Sequence, residues 1–239
     1  MLNRLPRIAL ALFAPLLLFG CVLTPGKFVS TLTINADRSF AFTYKGEVIA
    51  VDPQPAGDFK PSDVDPTGVE GQPTKSSYLH PIAETKVEKP GSEAKNRAIA
   101  EALSKEYGYR SVVYQGKGKF LIDYAVSGTL THNFLFPFNS DAEAALPFLM
   151  VELRANGTVR VKAPGFANGA KADKTGMGQM AGGDMASYLD GVFTLDTDAE
   201  IVSQNNEEGA TKSGGRATIK WRATPLSKDA PSAVLRFGK

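Results

Sequence analysis

From Phe28 the sequence alternates with a period of two. Phe28, Ser30, Leu32 and Ile34 share one side, Asn35-Ala36-Asp37-Arg38 interrupts, and Phe40, Phe42 and Tyr44 resume the pattern. Residues two apart lie on one face of a strand but not of a helix. The pattern predicts a β-hairpin with one apolar face, so any fold for this chain must supply a second layer to cover that face. Lys45-Gly46 is expected to turn the chain into a further short run over 47–51.

Strand signals recur downstream. Runs at 109–114 and 119–130 flank Gln115-Gly116-Lys117-Gly118, and runs at 147–154 and 158–162 flank Asn156-Gly157. Asn-Gly is a strong hairpin turn because both residues accept positive φ. Four more strands are expected at 191–196, 199–203, 216–222 and 233–237. One helix is predicted over 92–107: Ser92 can cap it and Gly108 can end it. Its apolar stripe would be Ala98, Ile99, Ala102, Leu103 and Tyr107, opposite a solvated charged face of Arg97, Glu101 and Lys105.

Residues 52–91 carry prolines at 53, 55, 61, 66, 73, 81 and 90 with few large apolar groups, and 163–187 is rich in glycine and lysine. Such stretches bury too little surface to offset the entropy of ordering them. The expectation is an α+β fold: a twisted antiparallel sheet of hairpins packed against one main helix, with two long irregular loops. Residues 28–239 then form a single domain.

The N-terminus reads differently. Arg4 and Arg7 precede an apolar run over 8–19, and Gly20 stands before Cys21. That is the plan of a secretory signal, and the run is shorter than the ~20 residues a membrane-spanning helix needs. Pro15 within it disfavours a stable helix. Without residues 1–20 the chain carries 25 basic and 25 acidic side chains, so no basic excess favours nucleic acid as a partner. Cys21 is the only cysteine, which excludes an intrachain disulfide and a zinc site of the multi-cysteine type.

Leu18-Phe19-Gly20-Cys21 resembles the lipobox of bacterial lipoproteins, with Phe19 where a small residue is usual. The resemblance implies cleavage between Gly20 and Cys21, a lipid on the Cys21 thiol, a signal peptide over 1–20 and a lipidated tether over 21–27. Two or three acyl chains make attachment durable where one does not. Val22, in place of Asp, implies the periplasmic face of the outer membrane, with the outer leaflet of the inner membrane as the alternative. No cofactor is expected beyond the covalent lipid, and the membrane is a partner through that anchor.

No nucleophile elbow, Walker loop or H-E-x-x-H motif occurs, and His80 and His132 are the only imidazoles, so no enzyme is expected. A hydrolase with a site assembled only in three dimensions is the third choice, with Asp123 or His132 beside a serine. The run His132-Asn133-Phe134-Leu135-Phe136-Pro137-Phe138, with Phe148 soon after, has two readings. Its rings fill a core strand, or Phe134, Phe136, Phe138 and Phe148 meet a hydrophobic ligand or the membrane. Met177, Met180 and Met185 suggest a mobile loop; a soft-metal site is the weaker alternative, and no metal is expected. Asp123 is expected on the outer side of its strand, with Ile122, Tyr124 and Val126 inward.

The segment 191–205 followed by 214–221, with Asn205, Gly214, Gly215 and Trp221 at its marked places, resembles the closing part of LppM-type lipoprotein domains. It departs from them at Thr197-Asp198-Ala199-Glu200, where an apolar-Pro-Gly turn is usual. The resemblance implies a lipid-anchored α+β domain that handles lipid or glycolipid, and it supplies no catalytic residue. The functional expectation is an envelope lipoprotein that binds a lipid or other hydrophobic ligand, or alternatively a scaffold for an envelope protein partner.

Overall fold

The computed structural model describes residues 22–51, 90–137, 147–167 and 185–238. Twelve strands form two sheets. In chain order they are β1 (Val22–Ile34), β2 (Ser39–Val51), β3 (Tyr109–Gly116), β4 (Lys119–Thr129), β5 (Phe134–Phe136), β6 (Leu149–Leu153), β7 (Thr158–Lys162), β8 (Asp190–Thr197), β9 (Glu200–Gln204), β10 (Thr211–Ser213), β11 (Arg216–Ala223) and β12 (Ser232–Arg236). One α-helix, α1 (Pro90–Leu103), precedes β3. The larger sheet runs β10-β11-β8-β1-β2-β4-β3 and the smaller β5-β6-β7-β12-β9. The chain changes sheets between β8 and β9, again before β10, and again before β12, so its last third stitches the two layers together.

The fold is β-rich with two sheets, and the α+β expectation of a sheet packed on one main helix is overturned. The second layer that the β1–β2 hairpin requires is the five-stranded sheet. Helix α1 packs on the edge strand β3, and of its described side chains only Asn96 and Ala100 are buried. The predicted stripe faces the core only in part: Ile99 packs against it, while Ala98 and Ala102 are exposed, and Tyr107 lies beyond the helix and is 83% exposed. The fully antiparallel expectation is corrected too, because β1 and β8 pair in parallel from Lys27 opposite Asp190 to Ile34 opposite Thr197.

The hairpins themselves stand where alternation and turn residues place them. Asn35 and Arg38 close the β1–β2 turn by backbone bonds, and Asp37 accepts from Ser39. Between β6 and β7 only Gly157 takes positive φ (76°), while the Asn156 carboxamide accepts from Thr158. Gly214 and Gly215, with φ of 57° and 79°, make the two-residue turn between β10 and β11 that a Cβ would strain. No turn forms at Lys45-Gly46, where β2 runs straight through. Gly46 is needed for another reason: with Gly191 it flanks Phe28 closely enough that a Cβ at either position would overlap it.

The core between the sheets is a chain of aromatic rings. Phe28 stacks on Phe166 with centroids 4.4 Å apart, Phe136 meets Tyr124 at 4.7 Å and Phe42 at 5.0 Å, and Phe193 stacks on Trp221 at 5.6 Å. Phe166 comes from a short 3-10 turn, Pro164–Phe166, inside the segment expected to be irregular. Its ring is fully buried, so that part of the expectation is also corrected. β1 begins at Val22, inside the segment read as a tether.

Candidate functional site

Cys21, Gly20, Phe138, His80, Met177 and Met180 lie outside the described residues. The described rings of the aromatic run are inside the fold. β5 pairs with β6 in register, Phe134 opposite Val151 and Phe136 opposite Leu149. Phe136 and Phe148 are 2% and 1% exposed, and Phe134 is half-buried against Phe40 and Phe42 at 5.5 Å from each. Phe136 and Phe148 spend their apolar surface within the core, whereas Phe134 is only partly covered. His132 is exposed beside the Thr131 hydroxyl.

Asp123 faces outward, 3.8 Å from Lys45 Nζ, with Ile122 buried behind it. Among the described residues no group of three or more His, Cys, Asp or Glu side chains could hold a metal. Two of the residues that carried the family resemblance, Asn205 and Trp221, meet in a structural knot. Asn205 accepts at Oδ1 from Trp221 Nε1 (3.1 Å) and from the Ser232 amide (2.8 Å), and donates from Nδ2 to the Ala230 carbonyl (2.8 Å). It thereby ties β11 of one sheet to β12 of the other.

A second polar cluster is likewise closed on itself. Arg216 donates to Asp196 (Nε–Oδ1 2.6 Å) and to Asn35 (3.0 Å), and the Asp198 carboxylate accepts from the Ala36 amide. The Asp196 hydrogen bond holds the Arg216 guanidinium above its already high ordinary pKa. One N–H on each of its three nitrogens joins the β1–β2 turn to β8 and β11.

The uncommitted site is on the outer face of the larger sheet. Strand pairing lines up Arg222, Val192, Val29 and Lys45 across β11, β8, β1 and β2. Val29 is 61% exposed in the central strand. Together with Lys27 and Asp190 these residues line an open depression of about 400 Å³. A β-bulge interrupts the β1–β2 ladder between Pro25 and Phe28, at the rim of this depression, and the Lys27 amide there donates to Glu47 Oε2 at 3.3 Å. Bulges concentrate beside binding sites because they re-aim side chains. Sequence reading missed this group: its three cations sit on three strands, and neither spacing nor local charge density marks them.

No protein-family model and no curated protein matches the chain. Among solved structures it is similar to the folded domain of the Mycobacterium tuberculosis LppM protein, determined by NMR, at 17% identity and a TM-score of 0.32. That alignment covers 90% of this chain and 92% of the other. A likeness of that degree carries no argument about fold or function.

Proposed function

We propose that the chain is a lipid-anchored protein of a bacterial envelope whose double-sheet domain acts as a binding module without catalysis of its own. The observation that supports it is the place of Cys21. It closes an apolar run with Gly20 before it, and β1 opens at the very next residue, Val22. A lipid on that thiol would tie the bilayer to the central strand of the larger sheet with almost no tether. The domain would then sit against the membrane surface, on the periplasmic face of the outer membrane, or on the outer leaflet of the inner membrane as the alternative.

The module's ligand, on this reading, is a lipid or another hydrophobic molecule. The packing of Phe136 and Phe148 into the core favours capture at the surface over an interior acyl pocket. Two experiments test the proposal. In cells fed labelled palmitate, the wild-type chain should take up label and Cys21→Ser should not; equal labelling of both would overturn the anchor. Native mass spectrometry of the purified domain should show co-extracted acyl species; a ligand-free mass, with crosslinking to one abundant envelope protein, would favour the scaffold instead.

A further inference from the structure

We propose that the end of the larger sheet to which Cys21 leads rests on the bilayer interface through Leu226 and Tyr188. The inference rests on the anchored reading of Cys21 and adds to it the face that touches the membrane. β1 and β8 run in parallel and β11 runs against them, with Phe28 opposite Gly191 and Gly191 opposite Ala223. The chain therefore enters β1, enters β8 and leaves β11 at one end of the sheet. Tyr188 stands two residues before β8 and Leu226 three after β11, so both belong to that end. Leu226 is 87% exposed, the highest value among the large apolar side chains described, and Tyr188 is 52% exposed.

Neither side chain is left outside by a slack backbone. The Leu226 amide donates to Thr224 Oγ1 at 3.3 Å, the Thr224 amide to Ser227 Oγ at 3.0 Å, and the Ser227 hydroxyl to the Arg222 carbonyl at 3.1 Å. This polar turn holds a leucine at its tip, where a polar residue would suit water better. The 3-10 turn Met185–Tyr188 packs beside β1, and the next residue, Leu189, goes into the core at 3% exposure, which leaves Tyr188 turned outward. A tyrosine ring with a polar tip suits the boundary between headgroups and acyl chains, and a leucine suits the layer beneath it. The contact is apolar and calls for no anionic lipid: Arg222 is paired with Asp190, Lys119 with Glu47, and Lys228 is followed by Asp229. Val22 lies six residues before Phe28 and Leu226 three after Ala223, so β1 overhangs the loop by at least three residues, roughly 10 Å. β11 is two strand spacings from β1, about 10 Å to the side. A sheet that leans toward β11 brings the lipid and the two side chains to one plane, and with β1 opening at Val22 there is no tether to let it stand otherwise.

The experiment uses the full lipidated chain, taken from cell membranes and reconstituted into phosphatidylcholine vesicles that carry a nitroxide quencher on the headgroup. A lipidated Cys21 sulfur does not react with maleimide, so Lys228→Cys supplies the one free thiol for a fluorophore, two residues from Leu226. Lys212→Cys on β10, at the opposite end of the sheet, is the control. The contact predicts quenching at position 228 several-fold above that at 212. Leu226→Ser/Tyr188→Ser should lower it several-fold, toward the control value; both side chains are exposed, so that variant keeps its fold. Equal quenching at 228 and 212 in a chain whose Cys21 is blocked, or quenching that the double variant leaves unchanged, overturns the contact and leaves the anchor standing. A chain without added thiols whose Cys21 reacts with maleimide overturns the anchor, and the contact with it.

Discussion

Phe28 is wedged between two glycines, and the two contacts differ in kind. The three atoms nearest a Cβ on Gly191 all belong to the Phe28 ring, with Cγ at 2.7 Å, whereas a Cβ on Gly46 would meet backbone, the Lys27 carbonyl and Phe28 Cα at 2.5 Å. The ring cannot swing aside, because it stacks on Phe166 at 4.4 Å and on Tyr44 at 5.5 Å. Overpacking of this sort costs about 1–3 kcal/mol, and at this chain length each kcal/mol lowers the melting temperature by roughly 2–4 °C. Gly191→Ala should therefore destabilise by that amount in urea or thermal unfolding. Phe28→Ala removes the Cγ, Cδ1 and Cε1 atoms that the new methyl strikes, so the double variant should be less damaged than the sum of its parts, with a coupling of about 1 kcal/mol. Gly46→Ala should be at least as costly, and Phe28→Ala should not relieve it, since the obstacle is the Lys27 carbonyl with Phe28 Cα and Cβ. Additive behaviour at Gly191, or rescue at Gly46, would refute this placement of Phe28.

Three further outcomes follow from the same core. Phe166→Ala should cost about 3–5 kcal/mol in urea unfolding, because a fully buried ring touching four other aromatics is removed; a loss below about 1 kcal/mol would mean the ring is not between the sheets. Asn205→Ala should cost about 1–3 kcal/mol by leaving Trp221 Nε1 and the Ser232 amide without their acceptor, and Trp221 fluorescence should shift in the folded variant; an unchanged stability would contradict the knot. Burial, with the Glu47 charge adding to it, holds the Tyr44 phenol well above its ordinary value of 10.0, and burial likewise raises Tyr109 and Tyr124. An unfolded chain releases these protons near pH 10 while the fold retains them, so their contribution is complete below that pH and is lost as pH rises further. Ionisation of three tyrosines in the native protein at pH 10, read by ultraviolet absorbance without unfolding, would contradict their burial.

What the sequence made legible was local. The β1–β2, β3–β4 and β6–β7 hairpins follow from alternation and from turn residues a few positions apart, so the interactions that define them are readable in one window. The partner of β1 on its other side is not: the paired residues of β8 lie 163 positions downstream, and a parallel pairing has no turn to announce it. The helix misled because its amphipathic stripe was weak and Asn96, a polar residue, proved to be on the buried side. It is satisfied there by the Tyr114 hydroxyl, which in turn donates to Glu93. Phe166 was hidden by its glycine-rich surroundings, and Lys27, Lys45 and Arg222 become neighbours only through strand order. Asp123 was legible because its neighbours Ile122 and Tyr124 made the better inner face.

The claim that most organises this account is that Cys21 carries the membrane anchor at the head of the central strand. Mass spectrometry of the N-terminal peptide, from protein extracted from cell membranes, tests it directly. A lipid anchor on Cys21 predicts a mature chain that begins at Cys21 with a diacylglycerol-sized adduct on its sulfur. A chain that begins elsewhere, or at Cys21 with an unmodified thiol, would contradict it.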